Sequence, residues 1–213
     1  MSSLHHPSDE TLVRLAAGML VGGPSIVVSA HLAGCAACRD AVGLFEAVGG
    51  VLLEQTAPSG DIPDGLARVR AAIERGPEPA TTQRLPRRPP NLPNDIVWPA
   101  ALGHSEFANW RWLAPGIRVS KSIDGELRLL RVAPGKSLLR HGHSGLEWTY
   151  IMAGSFVDGR ARFRPGDICE VDGDIDHRPV IGDEEDCICL IAAEGNARPH
   201  GLIGRVHQVI FNT

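Results

Sequence analysis

The chain has 213 residues, of which 43% are hydrophobic and 22% are charged, and its formal net charge at pH 7 is −4. These values are typical of a globular protein and exclude a disordered or fibrous one. Residues 1–76 contain five basic and eight acidic side chains. They therefore lack the basic surface with which nucleic-acid-binding proteins neutralise phosphates, and we expect no direct binding to nucleic acid.

Neither a membrane span nor a secretion signal is predicted. No run of about 18 or more apolar residues is present, and the start Met1-Ser2-Ser3-Leu4-His5-His6 lacks the basic and then apolar pattern of a signal peptide. The five cysteines include one Cys-x-x-Cys pair, which suits a reducing compartment better than a disulfide framework does. We expect a cytoplasmic protein that does not associate with a membrane.

Apolar residues recur at helical spacing in four segments of the first 76 residues, which predicts four helices. Asp9 and Glu10 suit the positive end of the first helix, and Gly22-Gly23-Pro24 is expected to end that helix. The four predicted helices lie at residues 8–20, in a short stretch around residues 26–31, at residues 35–55 and at residues 62–74.

The composition changes twice after the helices. Residues 77–95 contain six prolines and almost no periodic apolar residues, which predicts an extended, semi-rigid linker. From residue 96 onward, short β-like segments alternate with turn signals such as Asp158-Gly159 and Pro165-Gly166, which predicts a sandwich or small barrel. The predicted organisation is a helical domain at 1–76, a linker at 77–95 and a β domain at 96–213. The β segments lie at residues 127–132, 148–152, 161–163, 187–191 and 206–211.

The first group of candidate metal ligands lies between the second and third predicted helices. His31, Cys35 and Cys38 are spaced so that their nitrogen and sulfur atoms can converge on one tetrahedral ion, for which zinc is the best fit. A closed site needs a fourth ligand, and His5 or His6 could supply it from the segment before the first helix. A redox-active dithiol and a pair of core cysteines are the alternatives.

The second group of candidate ligands lies in the predicted β domain. Alternation along a strand places His141, His143 and Glu147 on one face, and His177 lies where a later strand could close the site. Three imidazoles and one carboxylate inside a barrel form a metal site with room for open coordination positions. The alternative is a barrel whose histidines only form hydrogen bonds in its interior.

The residues around this second group resemble the cupin family. Residues 135–154, GKSLLRHGHSGLEWTYIMAG, match the first cupin motif G-x5-H-x-H-x3-E-x6-G at every fixed position. The second motif, G-x5-P-x-G-x2-H-x3-N, keeps Gly166 and His177, whereas Asp172, Asp174 and Ile181 replace its proline, glycine and asparagine. The resemblance implies an all-β double-stranded β-helix barrel that binds a divalent metal. Zinc is our first expectation, with iron, manganese, nickel and copper left open.

The pattern H-x3-C-x2-C, preceded by a histidine near the start of a short helical domain, resembles the zinc-binding anti-sigma domain. The resemblance implies that His6, His31, Cys35 and Cys38 bind zinc, and the choice of His6 over His5 depends on it alone.

The two domains together resemble ChrR-type anti-sigma factors over nearly the whole chain, with an α+β multidomain fold. This resemblance implies that residues 1–76 inhibit a group IV (extracytoplasmic-function) sigma factor. It also implies that the cupin barrel is needed for release in response to oxidants such as singlet oxygen. Exposed apolar helix faces could form the partner interface. The candidate partner-binding residues are Leu12, Leu15, Phe45, Leu52, Leu66 and Ile73.

Two other classes of function remain open on the sequence alone. One is a metal-dependent cupin enzyme, a dioxygenase or isomerase, in which the helical part only tethers the barrel. The other is a structural cupin that dimerises. No acid–base residue aimed into the barrel can be named from the sequence, so we expect a regulatory protein without catalytic activity.

Overall fold

The computed structural model describes residues 3–58, 60, 63–76, 89, 91–93, 95–103, 105–138, 141–159, 161–172, 177–194 and 197–199. The side chains of residues 141–143 and 197–199 are outside this description. Predictions for Ile62, for most of the 77–95 linker and for the strand at 206–211 therefore concern residues that the structure does not describe. Within the described part, no helix has both the length and the apolar character that crossing a membrane requires.

Four α-helices form the first third of the chain. The Ser8 side chain accepts a hydrogen bond from the Thr11 amide and caps the first helix. The expectation that Gly22-Gly23-Pro24 ends this helix is wrong, because these residues form the first turn of the second one. Proline is tolerated there since the amides of a first turn have no acceptor within the helix. The helices are α1 (Asp9–Ala16), α2 (Gly22–Gly34), α3 (Ala36–Glu54) and α4 (Gly65–Arg75).

Antiparallel strands make up the described part of the second half. A six-stranded sheet has the order β1-β2-β3-β10-β5-β8, a three-stranded sheet has the order β7-β6-β9, and β11 pairs with β4. The strands are β1 (Arg111–Ala114), β2 (Ile117–Lys121), β3 (Arg128–Val132), β4 (His141–His143), β5 (Glu147–Ala153), β6 (Phe156–Asp158), β7 (Ala161–Phe163), β8 (Ile168–Val171), β9 (Val180–Ile181), β10 (Cys187–Ala193) and β11 (Ala197–Pro199).

Both faces of the central strands β3, β10 and β5 of the six-stranded sheet are largely buried. Side chains alternate along each strand, so Leu130 and Ile151 point into the barrel together with Phe156 of the smaller sheet. The neighbouring residues Leu129 and Trp148 point the opposite way. They pack in one apolar cluster with the helical part of the chain. The helical part and its neighbours contribute Leu12, Val27, Val28, Ala30, Leu102 and Phe107 to that cluster.

Helix α2 is the element that joins the two halves. It packs against β5, β10 and the 3-10 turn at Ala100–Leu102, and Val27 and Val28 have no exposed surface. Gly23 permits this approach, because a Cβ atom there would lie 2.5 Å from the Glu126 carbonyl oxygen. The two predicted domains are therefore packed together through a shared apolar core.

Candidate metal centre

Three chain segments bring His6, His31, Cys35 and Cys38 together. His31 lies in the last turn of α2, and Cys35 has an extended backbone that separates α2 from α3. Cys38 follows in the first turn of α3, so the helix break turns both thiols toward His31. His6 comes from the segment before α1. His31, Cys35 and Cys38 are buried, and His6 is exposed.

The four potential ligand atoms all lie within 4.8 Å of one another. His6 Nδ1 lies 3.4 Å from Cys35 Sγ and 3.3 Å from Cys38 Sγ, and His31 Nε2 lies 3.4 Å from Cys38 Sγ. With Zn–S bonds of about 2.3 Å and Zn–N bonds of about 2.0–2.1 Å, a tetrahedral ion separates nitrogen from sulfur by roughly 3.6 Å. The spacing therefore fits a four-coordinate zinc ion.

The surroundings of the site favour the forms of the ligands that bind a metal. Burial lowers the pKa of His31, which keeps this imidazole neutral. The pKa of Cys35 is lowered although burial acts to raise it, because hydrogen bonds from the Cys38 backbone and the Ser3 side chain stabilise the thiolate. Burial and the neighbouring Cys35 raise the pKa of Cys38 to about 12. Metal binding would release the proton of the Cys38 thiol.

This cluster is suited to holding a metal ion such as zinc. Its two imidazoles and two thiols are the donors that zinc prefers, and they leave no open coordination position. A zinc ion there would join the N-terminal segment to the α2–α3 junction, so its contribution would be structural. The structure brings His6 to the cluster, whereas the His5 ring lies on Phe163, with a centroid separation of 4.5 Å.

The second candidate site is described only in part. Glu147 begins β5, and both Glu147 and His177 are buried residues that line a cavity inside the barrel. His177 Nδ1 donates to Asp158 Oδ2 across 2.6 Å, a contact that fixes the orientation of the imidazole ring. The backbone of His141–His143 forms β4, but the side chains of His141 and His143 lie outside the described residues.

Ionisable side chains and two cysteine thiols line this barrel cavity. Burial raises the pKa of Glu147, and His177 and Arg128 act in the opposite direction. Cys169 and Cys189 line the same cavity, and Cys189 Sγ lies 3.5 Å from Cys187 Sγ. Burial raises the pKa of the Cys169 thiol well above its usual range, so this thiol stays protonated at neutral pH.

The six candidate partner-binding residues divide into two groups. Leu12 is buried in the shared core, and Leu15 and Phe45 are half-buried and packed against it. A surface role for Leu12 therefore does not hold in this conformation, because α1 uses this side chain to pack on the rest of the fold. Leu52, Leu66 and Ile73 are exposed on α3 and α4.

The sequence did not indicate the roles that three residues have near the two sites. Gly166 accepts a hydrogen bond from His31 Nδ1 at 2.8 Å, and Asp167 accepts from the Leu4 and His5 amides. Asp158 orients His177. Each lies in or next to a turn signal, Asp158-Gly159 or Pro165-Gly166, but a turn signal predicts chain reversal and carries no information on distant partners.

Comparison with known proteins connects this arrangement to one family. Residues 101–195 match the family model of the ChrR cupin-like domain. The anti-sigma-E factor ChrR of Cereibacter sphaeroides is 37% identical over 215 residues, covering 99% of each chain. In the crystal structure of Rhodobacter sphaeroides SigE in complex with the anti-sigma ChrR, the matching chain is 36% identical with a TM-score of 0.66. That match covers 91% of this chain and 100% of the other. The chain belongs to the ChrR family of anti-sigma factors.

Proposed function

We propose that the protein is an anti-sigma factor that binds a group IV (extracytoplasmic-function) sigma factor and keeps it from RNA polymerase. Residues 1–76 hold the sigma factor, and zinc bound by His6, His31, Cys35 and Cys38 stabilises this helical domain. Membership of the ChrR family supports the proposal, as does the solved complex of a relative with SigE. The role is regulatory and requires no turnover of a substrate. The complex acts in the cytoplasm, where RNA polymerase works.

The observation that carries this proposal is the apolar surface of α3 and α4. Cys38 is the one buried residue among the 19 of α3, and none of the 11 residues of α4 is buried. Leu52, Leu66 and Ile73 are 61%, 67% and 73% exposed. Apolar surface on successive helices is typical of a site that a partner covers. We assign Leu52, Leu66 and Ile73 to the interface with the sigma factor.

The barrel domain, which we place at residues 96–213 after the 77–95 linker, receives the signal. We propose that His141, His143, Glu147 and His177 hold a second divalent metal, with zinc as the first expectation. The burial of Glu147 and His177 against one cavity supports this assignment, as does the match to the first cupin motif. An oxidative stress such as singlet oxygen acts on this domain and leads to release of the sigma factor.

The interface is tested by a matched pair of substitutions. Leu66→Glu places a charge on the apolar surface of α4, where Leu66 is 67% exposed, whereas Ile123→Glu does so on the barrel half at a similar exposure of 69%. The sigma factor encoded by the same genome is co-expressed with each variant, and the complex is quantified by size-exclusion chromatography and calorimetry. We expect Leu66→Glu to weaken binding by at least about 2 kcal/mol, as for a hot-spot residue, and Ile123→Glu to bind as the unmodified chain does. Equal binding by both variants would contradict the assigned surface.

The division of roles between the domains is tested with a transcription reporter for the sigma factor. Cys35→Ser or Cys38→Ser is expected to give constitutive transcription, because the helical domain loses its zinc. His141→Ala or Glu147→Ala is expected to keep inhibition intact and to blunt induction by photosensitised singlet oxygen. Constitutive transcription in the barrel variants, together with silent cysteine variants, would reverse the assignment.

A further inference from the structure

The segment that carries His6 forms several hydrogen bonds with the barrel. Asp167, at the end of the turn between β7 and β8, is 2% exposed. Its Oδ1 atom accepts from the amides of Leu4 at 2.7 Å and His5 at 3.2 Å. Its Oδ2 atom accepts from the Arg164 amide at 2.9 Å. One buried carboxylate thus closes the barrel turn and fixes the two residues that precede His6.

Residue 5 adds three more contacts with the same region of the barrel. The Ile168 amide donates to the His5 carbonyl at 3.3 Å, and His5 Nε2 lies 3.1 Å from the Arg162 carbonyl oxygen. The His5 ring packs on Phe163. The next residue in the chain is His6, so its backbone has little freedom relative to β7 and β8.

A second candidate ligand depends on the same turn. His31 Nδ1 donates to the Gly166 carbonyl at 2.8 Å. This bond selects the tautomer in which Nε2 has no proton, and Nε2 is the atom that faces Cys38. Gly166 has φ = +96°, a conformation that glycine adopts without strain and other residues rarely adopt. A glycine at position 166 therefore allows the backbone conformation in which this carbonyl accepts the hydrogen bond from His31.

We propose that the barrel turn Arg164–Asp167 is the outer support of the metal centre in the helical domain. The Gly166 carbonyl orients His31, and the Asp167 carboxylate positions His6. The inference relies on the proposed binding of a metal by His6, His31, Cys35 and Cys38. It adds that both imidazole ligands are held in place by the domain that the sequence separates from them by a linker.

The proposal couples the two domains energetically. If docking of the turn strengthens metal binding by some factor, metal binding strengthens docking of the turn by the same factor. A change in the barrel that shifts Asp167 or Gly166 would then alter the metal affinity of the zinc site. The altered site would in turn change the α2–α3 junction. This coupling gives a physical route from the domain that receives the signal to the domain that holds the sigma factor.

The test measures cobalt binding to the purified full-length chain through the thiolate-to-cobalt charge-transfer absorption. Asp167→Ala removes the carboxylate, and we expect the cobalt affinity to fall about 10- to 100-fold, the usual effect of losing a group that orients a ligand. The control is Glu194→Gln, which removes the ion pair with Arg14 at the same domain interface and leaves the turn Arg164–Asp167 and the residues His6, His31, Cys35 and Cys38 unchanged. Its cobalt affinity is expected to match that of the unmodified chain.

A Cys35→Ser variant separates the two proposals. Loss of the absorption in Cys35→Ser, with unchanged affinity in Asp167→Ala, would overturn the support by the turn and leave the metal site intact. Absence of the absorption in the unmodified chain would overturn both.

A second measurement needs no variant and so does not depend on Asp167→Ala folding. Amide hydrogen exchange is followed by NMR in the unmodified chain before and after metal removal with a chelator. The amides of Leu4, His5 and Ile168 are expected to lose protection when the metal is removed, whereas the paired amides of β2 and β3 keep theirs. Equal protection of all three amides in both forms would contradict the coupling.

Discussion

Helices α2 and α4 lie in the same half of the chain, yet the fold uses them in opposite ways. Six of the 13 residues of α2 are buried, and this helix joins the core that it shares with β5 and β10. None of the 11 residues of α4 is buried, although Leu66, Val69 and Ile73 are apolar. Apolar residues in α2 therefore stabilise the chain itself, whereas those in α4 are available to another protein. This contrast leads to four predictions, from the largest effect on stability to the smallest.

The same substitution in the two helices should have very different consequences. Val28→Asp places a carboxyl group at a position with no exposed surface, and we expect it to lower the free energy of unfolding by about 4 kcal/mol or more. Val69→Asp, at 56% exposure, is expected to change it by less than about 0.5 kcal/mol and to weaken binding of the sigma factor. Urea unfolding followed by circular dichroism measures both. Similar losses of stability would break the contrast.

Glycine-to-alanine substitutions in α2 and α3 are expected to have opposite effects on stability. Gly23→Ala is expected to destabilise the chain by about 1–3 kcal/mol, as overpacking does, because its Cβ would meet the Glu126 carbonyl. In α3, Gly43→Ala meets no atom within 4 Å and should stabilise the helix by about 0.5–1 kcal/mol. Thermal unfolding of both variants gives the two values. A stable Gly23→Ala variant would show that α2 docks less tightly than described.

The cap of α1 is expected to have an intermediate effect. The Ser8 hydroxyl accepts from the Thr11 amide and donates to Glu170 on β8 at 2.6 Å. Ser8→Ala loses both bonds, and we expect a loss of about 1 kcal/mol in the free energy of unfolding. Ser8→Asp restores the cap but places two carboxylates side by side. It should therefore recover less stability than a replacement by Thr, which keeps both hydrogen-bonding roles.

The smallest effect is expected for the ion pair between Arg14 and Glu194. The two side chains are 23% and 41% exposed, and pairs of this kind contribute about 0.2–1 kcal/mol. Glu194→Gln should therefore change stability little, and the change should shrink further at 1 M salt. A loss above about 2 kcal/mol would mean that this contact controls docking of the two halves. The denaturation midpoints at low and high salt give the answer.

Much of the helical half was predictable from the sequence, because the apolar spacing of its helices and the acidic first turn of α1 are local signals. Four helices occur where four were predicted, and the spacing of His31, Cys35 and Cys38 indicated a shared site. The error at Gly22-Gly23-Pro24 has a physical reason: these residues disfavour a helix interior but are tolerated in its first turn. Short strands such as β4 and β6, with three residues each, are too brief to show a period.

The contacts between the halves were not predictable. Asp167 binds residues more than 160 positions away, and His31 binds Gly166 across 135 positions. Periodicity shows that a helix has an apolar face but not what covers it, so Leu12 and Leu66 looked equivalent. In the structure Leu12 is 3% exposed and Leu66 is 67% exposed. Whether the apolar face of a helix is buried or exposed depends on how all the elements of the fold pack together.

The shared core has a practical consequence for experiments that cut the chain. A fragment beginning near residue 96 would expose to water the sheet face that includes Leu129, Trp148 and Leu190, each of which has no exposed surface in the full chain. An uncovered apolar face of this kind promotes aggregation. A truncated chain that fails to respond to the signal could thus have lost either its signalling function or the folded structure of its barrel. Point substitutions in the intact protein are the sound way to assign roles to its two halves.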